Sequence, residues 1–212
     1  MSAFFKLVIE RYEEILSALW THIEITLIAL AIAILIAVPL GIWLSRNPHF
    51  AETVIGITSI IQTIPSLALL GFMVTLMGIG FKPAIIALVL YALLPILRNT
   101  YIGIAEVNHA SIEAGIGMGM TRWQLLRMVQ IPIALPVLIG GIRTAAVWTV
   151  GVATLGALIG AGGLGEFIFR GIATANSQLI LAGAIPAALL AIAFDTLLRI
   201  FENSQRANVR RN

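Results

Sequence analysis

Residues Ile23–Leu44 read IEITLIALAIAILIAVPLGIWL, with Glu24 as the only charge in the block. A helix rising 1.5 Å per residue needs about 20 apolar residues to cross roughly 30 Å of hydrocarbon, and this block has that length. Four more blocks of similar character follow, Val54–Ile79, Ala84–Ile104, Ile133–Ile159 and Leu179–Phe201. Over 212 residues, 59% are hydrophobic and 11% charged, whereas a soluble domain carries about a quarter charged residues, so too little polar surface exists to coat a water-soluble globule. In hydrocarbon every backbone donor and acceptor must be satisfied within the chain, which favours helices for such blocks. The expected fold is all-α, a polytopic membrane protein with five transmembrane helices in one domain spanning residues 1–212.

On the N-terminal side of Ile23, MSAFFKLVIERYEEIL carries Lys6, Glu10, Arg11, Glu13 and Glu14. It lacks the uninterrupted apolar core and small-residue cleavage site of a signal peptide, and is expected to be a retained amphipathic segment near the membrane surface. On the other side, SRNPHF (Ser45–Phe50) closes the first block with a proline turn, and GIGFKP (Gly78–Pro83) joins the second block to the third. Connections this short make consecutive helices antiparallel neighbours. With alternate sides counted, eight of the thirteen Lys and Arg residues collect on the side of Arg46, Arg98, Arg122 and the C-terminal tail, and four on the side of Lys6 and Lys82. The positive-inside rule then places the first side in the cytoplasm, the N-terminus outside and the C-terminus inside. The net charge of +3 is spread over segment ends and forms no basic patch, so no nucleic-acid partner is expected; membrane lipid is the surrounding partner. With no cysteine there is no disulfide framework, thiolate metal site or cysteine nucleophile, and no metal site is expected.

The longest polar stretch, EVNHASIEAGIGMGMTRWQLLRMVQ (Glu106–Gln130), lies between the third and fourth blocks. It reads as two short helices. Asn108 caps the first, and Glu113 sits in its opening turns, where negative charge favours the helix dipole. Gly115, Gly117 and Gly119 break it. Thr121 and Gln124 form a capping box for the second, which is expected to end near Pro132. Ile112, Ile116, Met118 and Met120 are expected to be exposed, an apolar surface suited to a partner's groove.

The same stretch resembles the cytoplasmic EAA loop of permease subunits from binding-protein-dependent ABC importers, a signature of E-A-A, three residues, G, nine residues and I-x-L-P. Glu113, Ala114 and Gly115 stand at its first three positions, Gly119 at the glycine, and Val129, Ile131 and Pro132 at the last; Gly replaces the third alanine, and Val and Ile replace Ile and Leu. Over essentially the whole chain the sequence is similar to the small permeases of glycine betaine, carnitine and choline uptake. QTIPSLALLG (Gln62–Gly71), PILRNTY (Pro95–Tyr101) and TVGVATLGALIGAGGLGEFIFRGI (Thr149–Ile172) carry that likeness. Methionine-type permeases share the five-span layout and are the nearest alternative. The resemblance implies a fold of the small ABC-importer permease type. It also implies that the loop is a coupling helix seated in a cleft of an ATPase subunit, with two ATP-binding cassette subunits, a second permease copy or paralogue and an extracytoplasmic substrate-binding protein as partners. Transport would proceed by alternating access in a bacterial inner membrane.

No G-x-x-x-x-G-K-[ST] occurs, so this chain has no phosphate cradle; it is expected to bind no cofactor, with ATP and Mg held by the partner ATPase. GAGGLG (Gly160–Gly165) fits G-x-G-x-x-G, but no strand precedes it, and a close-packed re-entrant turn near the outer mouth is the better reading, with Gly156 and Gly160 giving a small-xxx-small helix contact. Asp195 and Arg199 are spaced as an i,i+4 pair, while Arg143 either snorkels or anchors the fourth span. His22 and Glu24, at the outer end of the first span, are expected to be solvated at the interface. A quaternary ammonium solute calls for aromatic faces. Tyr91 and Trp148 lie within spans and either pack in the core or line a weak transit site, and Gln62, Thr63 and Ser66 around Pro65 are candidate pathway liners. Intramembrane catalysis finds no HExxH or GxSxG. An ion channel, the remaining alternative, would need a selectivity element and no ATPase.

Overall fold

The computed structural model describes the backbone of residues 2–211 and the side chains of residues 4–206. Among the described residues are ten α-helices: α1 Ser2–Glu10, α2 Tyr12–Arg46, α3 Pro48–Thr63, α4 Ser66–Met77, α5 Phe81–Ala105, α6 His109–Gly117, α7 Arg122–Leu125, α8 Ile131–Gly156, α9 Gly165–Ala173 and α10 Ser177–Arg211. Among the described residues, four helical stretches are long and apolar enough to cross a membrane, and five if α3 and α4 together count as one span.

The core is the contact of α2, α5 and α8. Their facing stripes are built from small residues: Ala29, Ala33 and Ala37 on α2, Ala84 and Ala92 on α5, and Ala145 and Ala153 on α8 are all buried. Without a hydrophobic force between helices in lipid, association relies on close van der Waals packing, which small side chains permit. At two crossings the approach leaves no room for a methyl group. A Cβ on Gly41 of α2 would lie 2.7 Å from Thr100 Cβ on α5, and one on Gly141 of α8 would lie 2.7 Å from the Pro95 carbonyl oxygen of α5. Helix α10 lies against α8, and its N-terminal half packs with α9 and α1 around Leu164, Phe167 and Leu179. The N-terminal segment is thus helical, with Phe4, Leu7 and Val8 turned onto that cluster and Lys6 and Glu10 exposed.

The second apolar block is bent, with α3 and α4 meeting at 96° across Ile64 and Pro65, and three further expectations need correction. Proline supplies no N–H and disfavours the α conformation in the preceding residue, and Ile64 is extended at ψ 129°. The second loop helix does not end near Pro132. It passes through a π-helical turn, Leu126–Gln130, directly into α8; the widened turn stops just before Pro132, where the ladder loses a donor. His22 is not at a solvated interface but fully buried, its Nε2 3.0 Å from the Val150 carbonyl oxygen, because α2 begins ten residues before it and the turn at Gly163 lies over it. Gly160 makes no helix contact. It takes a left-handed φ of +76° that ends the 3-10 turn Ala157–Ile159, while Gly156 does pack closely, against Ala84 and Ala161.

Candidate functional site

The polar loop forms a compact knob between α5 and α8. Asn108 Oδ1 accepts from the Ala110 N–H at 2.9 Å to start α6. Thr121 and Gln124 satisfy one another's backbone donors at 2.8 and 3.3 Å to start α7, so the capping box read from sequence is present. Between the helices, Gly119 turns the chain at φ +76°. Gly115 is buried, and a Cβ there would lie 2.6 Å from Leu125 Cδ1, so an alanine at this position would require the end of the Leu125 side chain to shift. Below the knob, Leu126 packs with Ile104, Ala134 and Leu138 and fastens it to α5 and α8. Arg46 at the end of α2 donates to the Arg122 carbonyl at 3.2 Å, a third attachment.

The outer face of the knob presents both polar and apolar groups. Glu113 is 73% exposed, with His109 Nδ1 3.4 Å away on the preceding turn, and Ala114 beside it is also exposed. Of the four apolar residues expected at the surface, Ile116 and Met118 are exposed, whereas Ile112 and Met120 are half-buried. Trp123 at 63% and Met128 at 62% exposure extend the patch. Sequence reasoning missed these two, although an exposed tryptophan beside a capping box was the available signal. Val129 and Ile131 are half-buried and Pro132 is exposed, so the end of the motif lies where the knob enters α8.

The Pro65 break joins two of the candidate pathway residues. The Tyr91 hydroxyl on α5 donates to the carbonyl of Ile64, which the bend has freed. In return Gln62 Nε2 donates at 3.3 Å to the Tyr91 carbonyl, which would have accepted from residue 95 had that not been proline. Two proline defects on neighbouring helices are therefore satisfied by one reciprocal clasp. Thr63 donates to its own helix, at Ile60, and Ser66 is half-buried past the bend. Trp148 does not join this group: it is 59% exposed on α8, beside a surface pocket lined by Arg143, Thr144 and Asp195. Tyr91→Phe is expected to leave the Ile64 carbonyl unpaired and lower stability by about 1 kcal/mol. Thermal unfolding of Tyr91→Phe, Gln62→Leu and the double variant measures it, and a clasp predicts non-additive losses.

Arg143 is an anchor, not a snorkelling side chain. Its Nε lies 3.6 Å from Asp195 Oδ1 and its Nη1 3.4 Å from Glu202 Oε2, both on α10. Asp195 also pairs with Arg199, as its spacing suggested, and Glu202 with Arg206 at 2.7 Å. The Glu202 side chain is only 6% exposed, and its contact with Arg143 is ionic, without hydrogen-bond geometry. Local spacing pairs Glu202 with Arg206 one turn later, but nothing local pointed to its contact with Arg143, which comes from another helix. Removing one partner of a buried ion pair costs about 3–5 kcal/mol. Because Arg199 and Arg206 remain, Arg143→Leu is expected to lose about 2 kcal/mol, read as a lowered unfolding temperature, and Arg143→Lys to recover part of it.

The model for the inner membrane component of binding-protein-dependent transport systems matches residues 29–207. The chain is 50% identical to the carnitine transport permease protein OpuCB of Listeria monocytogenes over 89% of its own length and 87% of that protein's. It is 47% identical, over the same shares, to the glycine betaine/carnitine/choline transport system permease protein OpuCB of Bacillus subtilis. It is 46% identical to the osmoprotectant import permease protein OsmW of Salmonella typhimurium, over 86% of this chain and 87% of that one. Among solved structures, an inward-facing form of the methionine ABC transporter MetNI superposes with a TM-score of 0.74 at 27% identity, covering 88% of this chain and 95% of its counterpart.

Proposed function

This chain belongs to the family of inner membrane components of binding-protein-dependent transport systems, and we propose that within it the chain is the permease of an ATP-driven importer for small quaternary ammonium osmoprotectants such as glycine betaine, carnitine or choline. It is a multi-pass membrane protein and a transport subunit. The single observation that carries the solute assignment is 46–50% identity, along nearly the full chain, to permeases named for these solutes. The methionine-transporter likeness at 27% identity supports the fold and weighs less on the solute.

The knob at Glu106–Gln130 is the docking element for an ATPase subunit. Its attachments to α2, α5 and α8 are stiff, and its exposed Glu113, Ile116, Met118 and Trp123 give a mixed apolar and charged face of the kind a protein groove takes up. It faces the cytoplasm, with the N-terminus outside and the C-terminus inside. Two ATPase subunits carry ATP and Mg, a second permease copy or paralogue completes the pathway, and an extracytoplasmic binding protein delivers solute. Closure of the ATPases moves the paired knobs, and the spans rock between outward-open and inward-open states around the Pro65 break.

Uptake of labelled glycine betaine, carnitine, choline and methionine, in a strain lacking the gene and in the same strain complemented with it, tests this. Restored uptake of one or more quaternary ammonium solutes but not of methionine is expected. Restoration of methionine alone would reassign the solute. Conductance without ATP, from protein that co-purifies with no ATPase, would replace the importer by a channel.

A further inference from the structure

Helices α3 and α5 enclose an open pocket of about 540 Å³ on the half of the molecule nearest the knob. That is within the roughly 300–1,000 Å³ range of small-molecule sites. Glu52 and Ser59 on α3 and Arg98 and Tyr101 on α5 line it, and Gly56 leaves open space in its wall where a side chain would otherwise stand. The two opposite charges share this one pocket without meeting: among the described residues neither Glu52 nor Arg98 makes a salt bridge or a side-chain hydrogen bond. An exposed pair that gained most by mutual contact would close on itself. A ligand bearing both charges satisfies each without that collapse.

We infer that this pocket is a transit site for a small zwitterion on the exit side of the pathway, with Arg98 taking the carboxylate and Glu52 and the Tyr101 ring taking the substituted ammonium. A guanidinium presents a fork matched to a carboxylate, and a quaternary ammonium, having no N–H to donate, is held by a nearby anion and an aromatic face. The inference rests on the osmoprotectant reading above and deepens it: a solute with a carboxylate uses both ends of the pocket, and a cation without one uses only the Glu52 end. A zwitterionic phospholipid headgroup carries the same two charges, and the experiment separates it from a free solute.

The test uses the full permease–ATPase complex, free of nucleotide and binding protein, in phosphatidylglycerol nanodiscs, with equilibrium binding of labelled glycine betaine and labelled choline. Arg98→Gln is expected to weaken glycine betaine about tenfold and leave choline within about twofold, while Glu52→Gln weakens both about tenfold. Arg98→Lys and Glu52→Asp should retain most of the binding, which separates loss of a charge from loss of fold. Unchanged binding in both neutral variants, or equal loss of the two solutes in Arg98→Gln, overturns the site. Loss of solute binding when phosphatidylethanolamine is added assigns the pocket to a headgroup and overturns it as well. ATP-driven uptake by the wild-type complex with its binding protein is measured alongside. Quaternary ammonium uptake with no effect of the variants rejects the pocket alone, and no such uptake rejects the function.

Discussion

Glu113→Arg is expected to reduce ATP-driven uptake about 5- to 150-fold while leaving the protein folded and in the membrane. Glu113 is exposed on α6, its one ionisable partner among the described residues is His109 one turn earlier, and no span packs against it, so the substitution removes nothing that the fold uses. What it reverses is the charge on the face assigned to the ATPase. Coupling between two sites is worth about 1–3 kcal/mol, which sets that range. Measured together, solute uptake and solute-stimulated ATP hydrolysis should both fall, with basal hydrolysis and helical content unchanged. Wild-type uptake by the variant would remove the knob from the mechanism.

The largest effect on stability is expected at Gly165. A Cβ at this position would lie 1.9 Å from the Thr154 carbonyl oxygen and 2.9 Å from Ala157 Cβ, so α9 and the end of α8 touch backbone to backbone. A flexible side chain could swing away from such a clash, but a carbonyl held in a helix cannot. Overpacking a close contact costs about 1–3 kcal/mol, and here the backbone itself must move, so Gly165→Val is expected to lie at or beyond the upper end. Gly160→Ala, where φ is +76° but nothing lies within 4 Å, should cost about 1 kcal/mol. Gly71→Ala, in open space on α4, should be close to neutral. The monodisperse fraction after detergent extraction and the unfolding temperature rank the three, and a Gly165→Val protein as stable as Gly71→Ala would contradict the packing described.

The helical class and the membrane setting were legible because block length and hydropathy depend on composition alone. The caps at Asn108 and Thr121 were legible because they involve residues two or three apart. Direction within a block was not. Val54–Ile79 carries no charge on either side of Pro65, and hydropathy does not register a right-angle bend; the Ile64 carbonyl, satisfied by Tyr91 from another helix, makes that bend tolerable. Burial of His22 was hidden for a related reason, since a polar residue near a span end reads as interfacial until a second element is laid over it. Arg143 could be recognised as anomalous but not assigned, because Asp195 and Glu202 reach it only once α10 lies against α8. In the candidate site, local motif positions were recoverable, whereas the exposed Trp123 and Met128 and the unmatched Glu52 and Arg98 depend on which faces the neighbouring helices leave open.

From Arg122 to Ile159 the chain is helical without a joint, the π-helical turn included. At 1.5 Å per residue this makes a rod about 55 Å long. Near its midpoint Gly141 is pressed against α5 at Pro95 and Asn99, too tightly for sliding. If this rod moves as one body about that contact it acts as a see-saw, and sideways travel of Trp123 by a few ångströms would reappear at Gly156, reversed in direction and similar in size. The turn carrying Gly160 and Gly163 beyond the far end of α8 would then be swung by its opposite end, with no wire of intervening side chains required.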